Sequence, residues 1–166
     1  MESKPLRVKL AELLEKNCRL SHAEIAQMLA VDERHVSDEI AAMEKSGIIV
    51  RYGARINWDK LGGEARVFAT IGVQVTPERE VGFDGVARRI VRFPEVHSMY
   101  LISGGHDFEV VVEGSNMRDV AYFVAQRLAV IPGVRSTATQ FVLQTYKLDG
   151  DIRLDADEDE RLLVSP

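Results

Sequence analysis

The stretch from Tyr100 to Glu113, YLISGGHDFEVVVE, constrains the fold more than any other part of the chain. Its two flanks are apolar and β-branched. The residues between them, Ser103 to Asp107, contain paired glycines that supply the positive φ of a tight turn, so the stretch predicts two antiparallel strands. A helical pattern precedes this hairpin (Thr76 to Phe93) and another follows it (Ser115 to Ile131). A strand lies outside each helix, over 65–75 and 134–147. Strand, helix, strand, strand, helix, strand is the split βαβ, or ferredoxin-like, order. Within the first strand Val67, Ala69, Ile71, Val73 and Val75 share one face, with Phe68 and Gly72 on the other. Such a pattern expects helices on one side and a partner against the other.

Upstream of this domain the periodicity is helical. Leu6, Leu10, Leu13 and Leu14 predict a helix over 4–16. Ser21 and Glu24 have the spacing of a capping box that opens a second helix, faced by Ile25, Met28 and Leu29. Asp32 is the N-cap of a third helix, with Val36, Ile40 and Met43 inward and Gly47 as its C-terminal stop. Residues 48–56 read as a strand. Three helices at these intervals followed by a strand make a winged helix-turn-helix. The fold class is therefore α+β: an N-terminal winged helix-turn-helix plus a C-terminal ferredoxin-like βαββαβ domain. The first domain spans 1–56, a hinge 57–64, the second domain 65–147 and an acidic tail 148–166. In the hinge, Asn57 caps a short helical turn, Trp58 and Leu61 anchor it as packing residues, and Gly62-Gly63 release the chain.

If the third helix enters a major groove, its outward N-terminal residues meet the bases. Arg34 and His35 suit base edges or phosphate, and Ser37 suits phosphate. Lys45, Arg51 and Arg55 add backbone contacts. Against this, Asp32, Glu33, Asp38 and Glu39 repel phosphate, and Arg34 has an alternative partner in Asp38 at i+4. Arg79, Arg88, Arg89 and Arg92 fit a solvated outer helix face better than a second nucleic-acid surface.

Charge qualifies this reading. The net charge is -5. From Lys147 onward three bases face seven acids, so four of those negative charges lie in the tail. Residues 1–55 hold nine bases and nine acids. Nothing here is the strongly basic footprint of a dedicated nucleic-acid binder, although a dimer would present two local patches. The lone Cys18 excludes an internal disulfide framework and fits a reducing cytoplasm. No apolar run approaches the ~20 residues that cross a bilayer, and the start carries no secretory signal. No zinc spacing, Ser-His-Asp set or phosphate-cradling loop is present, so no catalytic residue, metal or cofactor is expected.

These pieces resemble the Lrp/AsnC family of bacterial and archaeal transcription regulators. Arg19 to Ala26 and Met43 to Ile49 carry the likeness in the helix-turn-helix, and Arg51 to Asn57 in the hinge. In the second domain it rests on Phe93 to Val96, Leu101 to Asp107, Ile131 to Val134 and Thr137 to Thr139. The resemblance covers about residues 6–147. It implies double-stranded DNA as a partner and a homodimer built through sheet-to-sheet contacts, often assembled into tetramers or octamers. It implies a small effector, commonly an amino acid, held between dimers by Ser103, Gly104, Gly105, His106 and Asp107, joined by Thr137 and Thr139. The chemistry agrees. Glycines admit a ligand to backbone amides, Asp107 can hold an ammonium, and threonine hydroxyls can bind a carboxylate. For Asp107 the alternative is a turn cap within its own hairpin.

Two departures from the family pattern matter. The third helix is more acidic than usual, and His106 stands where a bulky or aromatic residue is common. They keep two other readings open. One is an enzyme on the same scaffold, similar to the sirohaem decarboxylases, with His97 and His106 at the hairpin. The other is a ligand-binding module with weakened DNA contact.

Overall fold

The computed structural model describes residues 5–61, 66–77 and 82–153. The chain divides into two compact units, 1–56 and 57–166.

The first unit holds three helices, α1 (Leu6–Lys16), α2 (His22–Leu29) and α3 (Glu33–Lys45). Their apolar stripes meet in one core of Leu10, Leu14, Ile25, Ala26, Val36, Ile40 and Met43. The ends of α2 and α3 have local causes. At the start of α2 the Glu24 amide donates to Ser21 Oγ (3.2 Å), and the Ser21 amide donates to Glu24 Oε2 (2.7 Å), which closes the capping box. Ala30, left-handed at φ 53, ends α2. Asp32 then caps α3 by accepting from the Arg34 amide at 2.8 Å. Gly47 (φ 73) lets the chain leave α3 in a Schellman turn: its amide donates to the Glu44 carbonyl and that of Ile48 to the Met43 carbonyl. The expected strand over 48–56 is absent, because this segment pairs with no other strand among the described residues. It has no regular structure and is largely exposed.

The second unit opens with α4 (Trp58–Leu61). The Lys60 amide donates to the Asn57 carbonyl, whereas Asn57 Oδ1 is buried without a partner, so backbone rather than side chain caps this turn. Arg66 stacks on Trp58 (3.8 Å to the ring centroid) and pairs with Glu113 at 2.8 Å. Then come β1 (Val67–Val75), α5 (Asp84–Ile90), β2 (Val96–Leu101), β3 (Phe108–Gly114), α6 (Met117–Phe123) and β4 (Val134–Phe141). The element order is the expected one. The strands form an antiparallel sheet in the order β2-β3-β1-β4. Ala69, Ile71, Val73 and Val75 of β1 are buried with Val86 and Ile90 of α5 and Val120 and Phe123 of α6. Phe68, Thr70, Gly72 and Gln74 point to the other, helix-free face.

Three expectations change in this unit. The helix expected over 76–93 is described only as α5, shorter at both ends. Residues 78–81, Arg79 among them, lie outside the described residues, as do Gly62 and Gly63. After Asn116 caps α6 (Asp119 amide to Asn116 Oδ1, 2.9 Å), the helix widens into a π turn over Val124–Leu128. The acidic tail does not begin at 148. A small hairpin, β5 (Lys147–Leu148) and β6 (Asp151–Ile152), turns through Asp149 (φ 48) and Gly150 (φ 96), the signature of a type I′ turn. Residues 154–166, which carry most of the tail's acids, lie outside the described residues.

Candidate functional site

In the first unit, Arg34, His35 and Lys45 are exposed on α3, and Arg51 and Arg55 are exposed on the segment that follows. Arg34 forms no ion pair with Asp38 among the described residues. Two of the acids that oppose phosphate are already engaged: Asp32 as the cap, and Glu39 in an ion pair with Arg7 of α1. Ser37 turns partly inward. It helps line a cleft of about 320 Å³ with Leu14, Cys18, Glu44 and Tyr52. At this cleft the Tyr52 hydroxyl donates to Glu44 Oε1 (2.7 Å), and Cys18 Sγ lies 3.9 Å from the Gly53 carbonyl. Partial burial, then the Glu44 carboxylate, push the Tyr52 phenol up to about 12. The Tyr52–Glu44 hydrogen bond thus ties the residue that follows Arg51 to α3. Sequence reading missed this pair, because nothing in the spacing of residues 44 and 52 shows which way the segment after Gly47 runs.

In the second unit, the loop between β2 and β3 brings Ser103, Gly104, Gly105, His106 and Asp107 together. Ser103, Gly104 and Gly105 are exposed, while His106 and Asp107 are half-buried. Gly104 alone has positive φ (131°). Asp107 anchors the loop three ways. Its amide donates to the Val73 carbonyl (3.0 Å), its carbonyl accepts from Ile102 (2.9 Å), and its Oδ2 accepts from the Val75 amide (2.8 Å). The carboxylate therefore reaches across to β1 instead of capping its own turn. The amides of Ser103, Gly104, Gly105 and His106 donate to no backbone carbonyl among the described residues. Successive free amides in a turn favour an anion.

His106 lies on the helix-free face, against Gly72. A Cβ at Gly72 would stand 2.6 Å from His106 Nδ1, so glycine makes room for the ring. Gln74 and Ser136, which sequence reading passed over, are also here. Ser136 Oγ donates to Gln74 Oε1 (2.8 Å), and Gln74 Nε2 donates to the Gly105 carbonyl (2.7 Å). Only the β1–β4 register puts these two residues side by side. That register places Thr137 opposite Val73 and Thr139 opposite Ile71, on the helix-covered side of the sheet and on the opposite face from Gln74 and Ser136.

His97 does not join His106. It meets Phe68 edge-on at 5.9 Å. Phe68 and Gly72 are four residues apart on β1, about 13 Å at the rise of a strand. Among the described residues no group of three or more His, Cys, Asp or Glu is placed to hold a metal. No helix among them is long and apolar enough to cross a membrane.

Comparison with known proteins gives one answer. Residues 68–152 match the Lrp/AsnC ligand binding domain. An uncharacterized HTH-type transcriptional regulator of Bacillus subtilis, YugG, is 45% identical over 157 residues, 95% of each chain. The crystal structure of the Mycobacterium tuberculosis leucine response regulatory protein superposes with a TM-score of 0.74 at 22% identity, covering 90% of this chain and 98% of that one. A transcriptional regulator of Neisseria meningitidis, NMB0573, solved as its complex with L-Met, gives 0.68 at 20% identity, covering 89% and 94%. At these identities the two structures speak for the fold alone. These relatives are named as regulators and not as enzymes.

Proposed function

The chain belongs to the Lrp/AsnC family of transcriptional regulators, and from that premise we propose how its two units divide the work. The first unit is a winged helix-turn-helix that binds double-stranded DNA, the exposed 48–56 segment serving as its wing. Arg34 and His35 meet the bases. Ser37, Lys45, Arg51 and Arg55 hold the backbone. The second unit, through the small hairpin that ends at Ile152, is a ferredoxin-like effector domain reached by the 57–64 hinge. It assembles the chain into a homodimer and on into tetramers or octamers. Its ligand is an amino acid, bound by Ser103, Gly104, Gly105, His106 and Asp107. Thr137 and Thr139 lie on the opposite face of the sheet from Gln74 and Ser136, so they serve the pocket of an adjoining copy. The protein acts in the cytoplasm, and the bound ligand shifts its assembly and so its DNA affinity, which requires unequal affinity for the two states.

The observation that carries the sensing half is the anchored loop. Among the described residues, four successive amides without a backbone acceptor precede a carboxylate of which one oxygen is engaged, at Val75, and such a pair of groups suits the two charges of an α-amino acid. The complex of the Neisseria regulator with L-Met supports the same ligand class. The test is fluorescence anisotropy with DNA from upstream of the protein's own gene against a scrambled duplex. It is titrated in salt, with and without each L-amino acid. The regulator should prefer its own DNA and weaken steeply with salt. Arg51→Ala should lower the salt slope by about 0.9 if it meets one phosphate. Equal binding to both duplexes by folded oligomer would sink the DNA half, leaving a ligand-binding module.

A further inference from the structure

We infer that Gln74 and Ser136 are positioning residues for the loop site, which makes this inference rest on the amino-acid reading above. Ser136 Oγ can donate to Gln74 only if the Gln74 carbonyl oxygen faces it. The Gln74 amide nitrogen must then face the Gly105 carbonyl. Each contact fixes the orientation of the other, so β4 sets the loop through β1.

The consequence lies in the peptide joining Gly105 to His106. In a trans peptide the carbonyl and the amide lie in one plane and point in opposite directions, on either side of the chain. No cis peptide occurs in the described chain. Holding the Gly105 carbonyl toward Gln74 therefore turns the His106 amide away from it. The next amide, that of Asp107, is bound to the Val73 carbonyl, and the Asp107 carboxylate is bound to the Val75 amide. Loop amide and carboxylate thus keep a set separation, with β1 residues 73–75 as the common frame. The group this arrangement fits is a zwitterion, its carboxylate toward the His106 amide and its ammonium toward the other Asp107 oxygen. Side-chain preference would arise elsewhere. Gln74 and Ser136 act on the part every amino acid shares.

Calorimetric titration of the full-length protein with each of the twenty L-amino acids tests this. The set includes Gln74→Met, which keeps length but removes both hydrogen bonds, Ser136→Ala, and Ser136→Thr, which keeps the hydroxyl. For whichever amino acids the unaltered protein binds, Gln74→Met and Ser136→Ala should weaken binding about fivefold to tenfold, as the loss of one or two hydrogen bonds does. All bound amino acids should suffer by the same factor, and Ser136→Thr should restore most of the affinity. The unliganded melting temperature is read alongside. Unchanged affinity in both variants overturns the inference and leaves the amino-acid reading standing. Loss that tracks a fall in melting temperature, or that strikes one amino acid and spares another, also overturns it. A wild-type protein that binds none of the twenty overturns the reading and the inference together.

Discussion

At the scale of single residues, Tyr52 shows how one contact organises a segment without regular structure. Its neutral phenol donates to Glu44, and its pKa rises from 10.0 to about 12. The folded state favours the protonated phenol, so this contribution is fully present below pH 10 and is lost as pH rises through about 12. Ultraviolet titration of phenolate should show one step near 12 that vanishes in Tyr52→Phe. The same variant should lose about 1 kcal/mol, a modest figure because the phenol is almost half exposed. Gly133 is a second such position. Its φ is +95°, and a Cβ there would stand 2.8 Å from Val86 Cγ2 in the core. Gly133→Ala combines left-handed strain with overpacking, and a loss of about 2–4 kcal/mol should appear in its denaturation midpoint.

At the scale of elements, helix ends were the most legible part of the sequence. Ser21, Glu24, Asp32 and Gly47 act locally, and local chemistry needs no knowledge of partners. The capping box gives a pH test. The Ser21 amide, then its hydroxyl, hold the Glu24 carboxyl below its ordinary 4.5. The ionised form is the one that caps. Its contribution is present above pH 4.5 and disappears as pH falls through the lower folded value. Ser21→Ala should cost about 1 kcal/mol at neutral pH. In Glu24→Gln the acid-side decline measured by circular dichroism should be shallower than in the unaltered protein; an identical decline in both would refute the role. What could not be read depends on partners far along the chain. Residues 48–56 have strand propensity but no strand to pair with among the described residues, and propensity alone does not make a sheet. The Asp149-Gly150 turn was masked by the acids around it, although Asp-Gly is a strong hairpin signal. Gln74 and Ser136 are unremarkable until the β1–β4 register places them together. The loop was recognised as a group from its glycines, whereas the reach of Asp107 to β1 was not, since only the folded sheet brings Val75 beside it.

At the scale of the whole molecule, the two units have separate cores, and their sizes differ enough to decide which folds alone. Among the described residues, seven buried apolar residues hold the first unit and thirteen the second. A domain of about 60 residues buries only about 60% of the surface of its unfolded chain and is correspondingly marginal. The second unit also has the continuous sheet and the helices that cover it. Cutting the chain between Ile56 and Asn57 should therefore give unequal fragments. Residues 57–166 should unfold cooperatively and keep both the oligomer and any amino-acid binding of the full chain. Residues 1–56 should unfold at a lower denaturant concentration than the other fragment. DNA binding should fall more than stability does. Two arms joined in one oligomer bind as a linked pair, and such linkage is worth about 10²–10⁴ in affinity. At a concentration where the small fragment is still folded, its affinity for the upstream duplex should accordingly be at least a hundredfold below that of the full chain. If the isolated first unit, verified as folded by circular dichroism, bound that duplex as tightly as the intact protein, assembly would contribute nothing to DNA recognition. Effector control through assembly would then have to be abandoned even if both ligand and DNA binding held.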